Sequence, residues 1–167
     1  GGGIITADPE PAMKALEYAD YGVIGEGEIT MHELCNALEH GSELSEIDGI
    51  IYKKDNCYIV TKTRKEMGNI DSIPWPDYEG FDIETYLRST PPGISGLNKQ
   101  NTIFMLASRS CPYNCTFCFH TAGRKYRQRS LDGFFEELAH LISQYKIGCI
   151  CLADELFARN IQRVKAF

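Results

Sequence analysis

Three cysteines set close together, Cys111, Cys115 and Cys118, constrain this chain of 167 residues most, because the fold must carry three thiolates on one short loop. Thiolates are soft ligands that suit iron-sulfur clusters or zinc, and closed structural or electron-transfer sites take four protein ligands. No fourth cysteine follows at a comparable spacing. One coordination position is therefore left for something other than cysteine. On the residues alone two metal readings stand: an iron-sulfur cluster with one iron open, or zinc completed by His120 close behind Cys118. A disulfide framework is disfavoured, since the total of 7 cysteines is odd and no secretory signal precedes them.

The flanks of the cysteine run predict how it is held. Thr102-Ile103-Phe104-Met105-Leu106-Ala107-Ser108 is apolar and short enough for a buried strand, and the loop starts at its C-terminal end. Ser130 then stands as a cap for a helix in which Leu131, Phe134, Phe135, Leu138, Leu141, Ile142 and Tyr145 recur at helical spacing, which predicts a core face. A second strand is expected from Ile147 to Ala153, where Cys149 and Cys151 read as small apolar packing. Strand, helix and strand make a βαβ unit, and parallel strands with such crossovers offer loops for chemistry at their C-terminal ends. Asp154-Glu155-Leu156-Phe157 falls at one such end, before a helix expected over Ala158 to Phe167.

The segment from Ala107 to Ser130, with Ser108-Arg109-Ser110-Cys111-Pro112-Tyr113-Asn114-Cys115-Thr116-Phe117-Cys118 and Tyr126-Arg127-Gln128-Arg129-Ser130, resembles the start of a radical S-adenosylmethionine (SAM) domain. The resemblance implies that Cys111, Cys115 and Cys118 bind three irons of a [4Fe-4S] cluster, with SAM chelating the fourth. It implies reductive cleavage of SAM to begin radical chemistry, the cofactors carrying the hard step. Phe117 matches an aromatic position near the adenine. Ser110 departs from the family, in which many members have glycine. Asp154, Glu155 and Phe157 match an acidic-aromatic element of the cobalamin-linked class, with Asp154 and Glu155 implied to meet the amino group of SAM. The alternative for these two acids is a helix start that satisfies its own N-H groups.

The first part of the chain predicts a helix over Ala12 to Ala19, a short strand at Tyr21 to Ile24, and a helix from Ile29 to His40 with Met31, Leu34, Cys35 and Leu38 on one face and Gly41 as its cap. This alternation suggests a parallel α/β sheet. Gly2-Gly3, Thr6-Ala7-Asp8-Pro9-Glu10 and Gly25-Glu26-Gly27-Glu28 resemble, in that order, the last part of a Rossmann-like cobalamin-binding domain. Gly2, Gly3 and Gly25 are implied cobalamin contacts, against the plain alternative of tight turns. A hairpin is expected over Gly49 to Lys54 and Cys57 to Thr61, turning at Asp55-Asn56, to connect and cover. Ile73-Pro74-Trp75-Pro76-Asp77-Tyr78 is similar to the stretch between the two domains of this class, with Trp75 at a domain border and a loop from Ser89 to Gln100.

The expected organisation is thus α/β: residues 1–45 as the end of a cobalamin-binding-like domain, 46–100 as hairpin and linker, and 101–167 as the first βα units of a partial (β/α) barrel. A whole barrel needs more units than follow Cys118, so a truncated or internal segment is expected. A net charge of -6 and a pI of about 5.2 argue against broad nucleic-acid binding, although Arg124, Lys125, Arg127 and Arg129 form a basic patch whose plain reading is a solvated loop. No stretch approaches the roughly 18 apolar residues of a membrane span, and a cytoplasmic setting is expected from the reduced thiols and the lack of a signal peptide. The expected partners are a small-molecule or peptide substrate and an external electron donor. Two further readings stand beside the radical enzyme: a tRNA methylthiotransferase-like protein, and a noncatalytic zinc module built on Cys111, Cys115, Cys118 and His120.

Overall fold

A computed structural model describes residues 1–88 and 101–167. The loop expected from Ser89 to Gln100 lies outside the described residues. The chain divides into two compact units, one of residues 1–68 with 112–125, the other of residues 69–111 with 126–167.

In the first unit the hairpin supplies the strand against which the rest packs. Strands β2 (Ile50–Lys54) and β3 (Cys57–Val60) pair antiparallel with Lys54 opposite Cys57. Between them Asp55 and Asn56 have φ of 49° and 63°, the left-handed pair that lets a two-residue turn match the twist of its strands. β1 (Tyr21–Val23) pairs antiparallel with β2, placing Gly22 opposite Ile51, so β2 is central in the order β1-β2-β3. The parallel alternation expected here is therefore corrected. Its cause lies in β2, which is apolar on both faces: Ile50 and Tyr52 pack with Leu34, Ala37 and Ile47, whereas Ile51 packs with Ile5, Ala12 and Met13. Side chains alternate across a strand, so one layer of helix serves each face. Helix α3 (Gly27–His40) covers the first, and α1 (Gly3–Ala7) with α2 (Pro9–Ala15) covers the second. Residues 46–68 thus share one unit with residues 1–45.

Two helices of this unit differ from expectation in detail. α2 ends at Ala15, before the predicted Ala19. α3 ends on Gly41 with φ 68°, as the cap predicts, but its buried face is Thr30, Leu34 and Ala37. Met31, Cys35 and Leu38 are exposed, because the sheet is met by the neighbouring stripe. Gly22 shows how tight the other face is: a Cβ there would fall 2.5 Å from Ile51 Cγ2, 3.1 Å from Ile5 Cγ2 and 3.2 Å from Met13 Sδ. All three neighbours are almost wholly buried. Gly22→Ala is expected to cost about 1–3 kcal/mol through overpacking, read as faster amide exchange at Ile51 and its strand partners; unchanged exchange would contradict this packing.

The second unit contains the expected βαβ unit. β4 (Thr102–Met105) and β7 (Cys149–Leu152) pair in parallel, from Thr102 opposite Cys149 to Met105 opposite Leu152, and α5 (Leu131–Tyr145) makes the crossover. Ser130 caps α5, its Oγ accepting from Gly133 N-H at 3.1 Å. The core gathers Ile103, Met105, Phe134, Leu141 and Ile147, with Leu138, Tyr145, Ile150 and Leu152 against it. Phe135 and Ile142, expected in this face, are 37% and 47% exposed. Glu137 is buried instead, because Arg129 reaches it. Cys149 and Cys151 are half-buried on the strand face opposite to that core.

A short helix α4 (Ile83–Arg88), not anticipated from sequence, inserts Leu87 into the same core. Trp75 packs on His140 of α5, ring centroids 5.5 Å apart. The chain ends in a 3-10 turn, Phe157–Arg159, and α6 (Ile161–Ala166). That helix starts later than expected because Asn160 is its cap, with Oδ1 accepting from Gln162 N-H and Arg163 N-H. Among the described residues no helix is long and apolar enough to cross a membrane.

Candidate functional site

The cysteine run starts where β4 ends. β5 (Ser108–Arg109) pairs antiparallel with β6 (Arg127–Gln128), Arg109 opposite Arg127, and Arg129 N-H donates to Ala107 O at 3.0 Å. This clasp brings the outgoing and returning chain together at the C-terminal end of a parallel strand, the position where such sheets place their chemistry. Residues 112–125, between its two arms, belong to the first unit.

Ser110, directly before the first cysteine, has φ 66° and is almost fully buried. A left-handed backbone disfavours residues with a Cβ by about 1–2 kcal/mol, which gives a physical reason for glycine at this place in the resembling family. The serine is held there: its Oγ accepts from Arg127 Nη2 at 3.0 Å inside the protein. Ser110→Ala keeps the strain and loses that bond; Ser110→Gly loses the bond but relieves the strain. The expected order of stability is wild type, then glycine, then alanine, with the last two separated by about 1 kcal/mol. Denaturant midpoints check it, and an alanine variant as stable as the glycine variant would remove the strain argument.

None of the seven cysteines is paired in a disulfide. Cys111 is half-buried, Cys115 and Cys118 are exposed, and Cys118 N-H donates to Cys115 O at 3.2 Å, closing a turn. Phe117 on that turn is 87% exposed. Among the described residues no three His, Cys, Asp or Glu side chains are gathered as a metal cage. The donor set still fits an iron-sulfur cluster by kind, since three thiols without disulfide partners stand on one turn-forming loop.

Sequence reasoning missed what anchors the far end of the loop. Glu66 accepts from Arg124 N-H at 2.6 Å and from Lys125 N-H at 3.2 Å. Gly123, with φ 81°, makes room for it: a Cβ would fall 1.7 Å from Glu66 Oε1. A lone glutamate in a polar stretch carries no signal of such a role. The basic patch is not a solvated set either. Arg127 is 5% exposed, Arg129 pairs with Glu137, and Arg124 donates to Asn114 Oδ1 at 2.6 Å.

At the end of β7 the two acids part. Asp154 Oδ1 accepts from Ala107 N-H at 2.8 Å and its Oδ2 accepts from the Ser108 hydroxyl at 2.6 Å. It ties the end of β7 to the end of β4. The alternative in which Asp154 satisfies its own helix start is corrected, because α6 begins beyond it on Asn160. Glu155 is exposed.

In the first unit, Gly2 caps α1 with φ 85° and Gly25 follows β1 with φ 75°; a Cβ on either would meet nothing within 4 Å. Gly25 N-H donates to Thr6 Oγ1 at 3.0 Å. A Cβ on Gly1 would lie 3.4 Å from Val23 O. The segment that opens α1 thus lies beside the end of β1 and the turn after it, and a Cβ on Gly3 would lie 3.6 Å from Thr121 Cγ2. Gly3 opens a helix rather than the expected strand-end turn.

No family model matches the chain. It is 34% identical over 166 residues, 98% of its length, to an uncharacterized methyltransferase of Pyrococcus horikoshii. It is 30% identical over 148 residues to the anaerobic magnesium-protoporphyrin IX monomethyl ester cyclase of Rubrivivax gelatinosus. Among solved structures it matches the radical SAM methyltransferase TsrM of Kitasatospora setae, with a TM-score of 0.71 and 20% identity over 97% of this chain. Over its length the chain has the fold of a part of a cobalamin-dependent radical SAM enzyme. A second member, OxsB with aqua-cobalamin and SAM bound, matches at a TM-score of 0.68 and 24% identity over 94% of this chain. The chain spans 34% of the P. horikoshii relative, 25% of the cyclase, 30% of TsrM and 21% of OxsB.

Proposed function

We propose that this chain is part of a radical SAM enzyme of the cobalamin-dependent class, in which Cys111, Cys115 and Cys118 hold a [4Fe-4S] cluster. The observation that carries this reading is that Cys111, the first cysteine of the CxxxCxxC run, follows the C-terminal end of β4, the first strand of a parallel βαβ unit, directly after the outgoing arm of the β5–β6 clasp. When bound together, cluster and SAM supply the reductive cleavage of SAM from which radical chemistry starts. Ser110 and Arg127 fix the backbone leading into Cys111. Phe117 offers an exposed ring for the adenine, and Glu155 an exposed carboxylate for the amino group of SAM. Asp154 ties the end of β7 to the end of β4 and is a second acid for the same ammonium. Gly2, Gly3 and Gly25, with open space beside Gly2 and Gly25, suit close approach of cobalamin to the backbone.

The reaction class is methyl transfer or a related radical bond formation on a small molecule or peptide, with an external electron donor, in keeping with a methyltransferase and a cyclase among the relatives. Anaerobic reconstitution of the chain with iron and sulfide tests the reading. About four irons and four sulfides per chain are expected, with an electron paramagnetic resonance signal that changes on adding SAM. Cys115→Ala is expected to lose the cluster. Tight zinc in place of iron, or a cluster signal that survives Cys115→Ala, would overturn the assignment.

A further inference from the structure

In the second unit a cavity of about 580 Å³ opens beside the returning arm of the clasp, lined by Tyr126, Gln128, Arg159, Asn160 and Ile161. We infer that it binds a small organic oxyanion, a carboxylate or a phosphoryl group, with Arg159 as the charged contact.

The guanidinium carbon of Arg159 stands over the Tyr126 ring, 4.8 Å from its centroid. A cation-π contact of this kind holds the group in place and uses none of its N-H donors. Among the described residues Arg159 has no carboxylate partner, and no acid lines the cavity. A guanidinium held in place without an anion is a site prepared for one. The neighbouring groups are oriented to the same end. Tyr126 is immobilised by its own hydroxyl, which donates to Leu156 O at 3.0 Å and accepts from Gln128 Nε2 at 2.9 Å. Asn160 spends Oδ1 on the N-H groups of Gln162 and Arg163, which leaves its Nδ2 as a second donor. Gln128 keeps Oε1 as an acceptor for a hydroxyl or amide on the ligand, and Ile161 supplies an apolar wall. One cation, one further donor, one acceptor and one apolar contact describe a small organic acid better than a bare ion.

None of the five lining residues is among those proposed to hold the cluster or SAM, so the test is separate from that of the cluster. Nuclear magnetic resonance titration of the 167-residue chain with benzoate, phenylphosphonate and neutral benzamide follows the Arg159 Nε-H and the Tyr126 ring. Saturable shifts with either anion and none with benzamide are expected, and the anion that binds more tightly identifies the carboxylate or the phosphoryl source. Arg159→Gln is expected to weaken both at least tenfold, and Arg159→Lys to restore part of the loss through charge alone. Arg159 is exposed, so neither variant threatens folding. Equal binding of benzamide, absence of saturable shifts, or unchanged affinity in Arg159→Gln would overturn the inference.

Discussion

Arg129→Ala is expected to lower the stability of the second unit by about 3–5 kcal/mol, the cost of removing one partner from a buried ion pair. Glu137, on the sheet-facing side of α5, has only 8% of its side chain exposed, and Arg129 only 14%. The Arg129 guanidinium also donates to Gly133 O at 3.2 Å, lies 3.8 Å from Asp71 Oδ1, and stands 5.7 Å from the Phe134 ring centroid. Truncating it leaves a buried carboxylate without its cation. The pair itself is not required for a stable core: Arg129→Met with Glu137→Leu replaces both charges by apolar groups and is expected to recover most of the loss. The single tryptophan, Trp75, packs on His140 of the same helix, so its fluorescence reports this unit during urea unfolding. A single variant within about 1 kcal/mol of wild type would mean that Glu137 finds water, and the pair would then count as a surface bridge.

The elements most legible in the sequence are those whose signals are local and agree with one another. Ser130 before an amphipathic run, an apolar strand on either side and the Asp55-Asn56 turn each specify their own backbone, and each forms where expected. Legibility fails where tertiary partners decide. The apolar run Ile50-Ile51-Tyr52 does not say that it is covered on both faces, so the central strand reads as a covering hairpin. Phe135 and Ile142 fit the helical period as well as Phe134 and Leu141 do, yet Glu137 takes the buried place because Arg129, eight residues earlier, is positioned to neutralise it. At the candidate site the three cysteines stand out by their spacing, and the side chains that support their loop do not. Glu66 under the loop, Arg127 under Ser110 and Ser108 against Asp154 are side-chain contacts between residues far apart in the chain or carrying no motif.

Asp154 is where the two levels meet, and its variants separate them. Its carboxylate accepts from a wholly buried N-H, that of Ala107, and from the buried hydroxyl of Ser108. Asp154→Ala strands the Ala107 N-H at about 1–3 kcal/mol and leaves the Ser108 hydroxyl only its long contact to Leu156 O at 3.4 Å, so a loss of about 2–4 kcal/mol is expected in Trp75-detected unfolding. Asp154→Asn can keep both contacts, its Oδ1 accepting from Ala107 and its Nδ2 donating to the Ser108 hydroxyl, which rotates to accept. It removes only the charge. Near-normal stability is therefore expected from the asparagine variant, and any weakening of SAM binding that it shows on the reconstituted chain measures the electrostatic part of the role. Glu155→Gln, at an exposed position, is expected to change stability by no more than about 0.5 kcal/mol and to act mainly on SAM. If Asp154→Asn unfolds as readily as Asp154→Ala, the charge itself holds the strand ends together, and the separation of support from ligand contact at this residue fails.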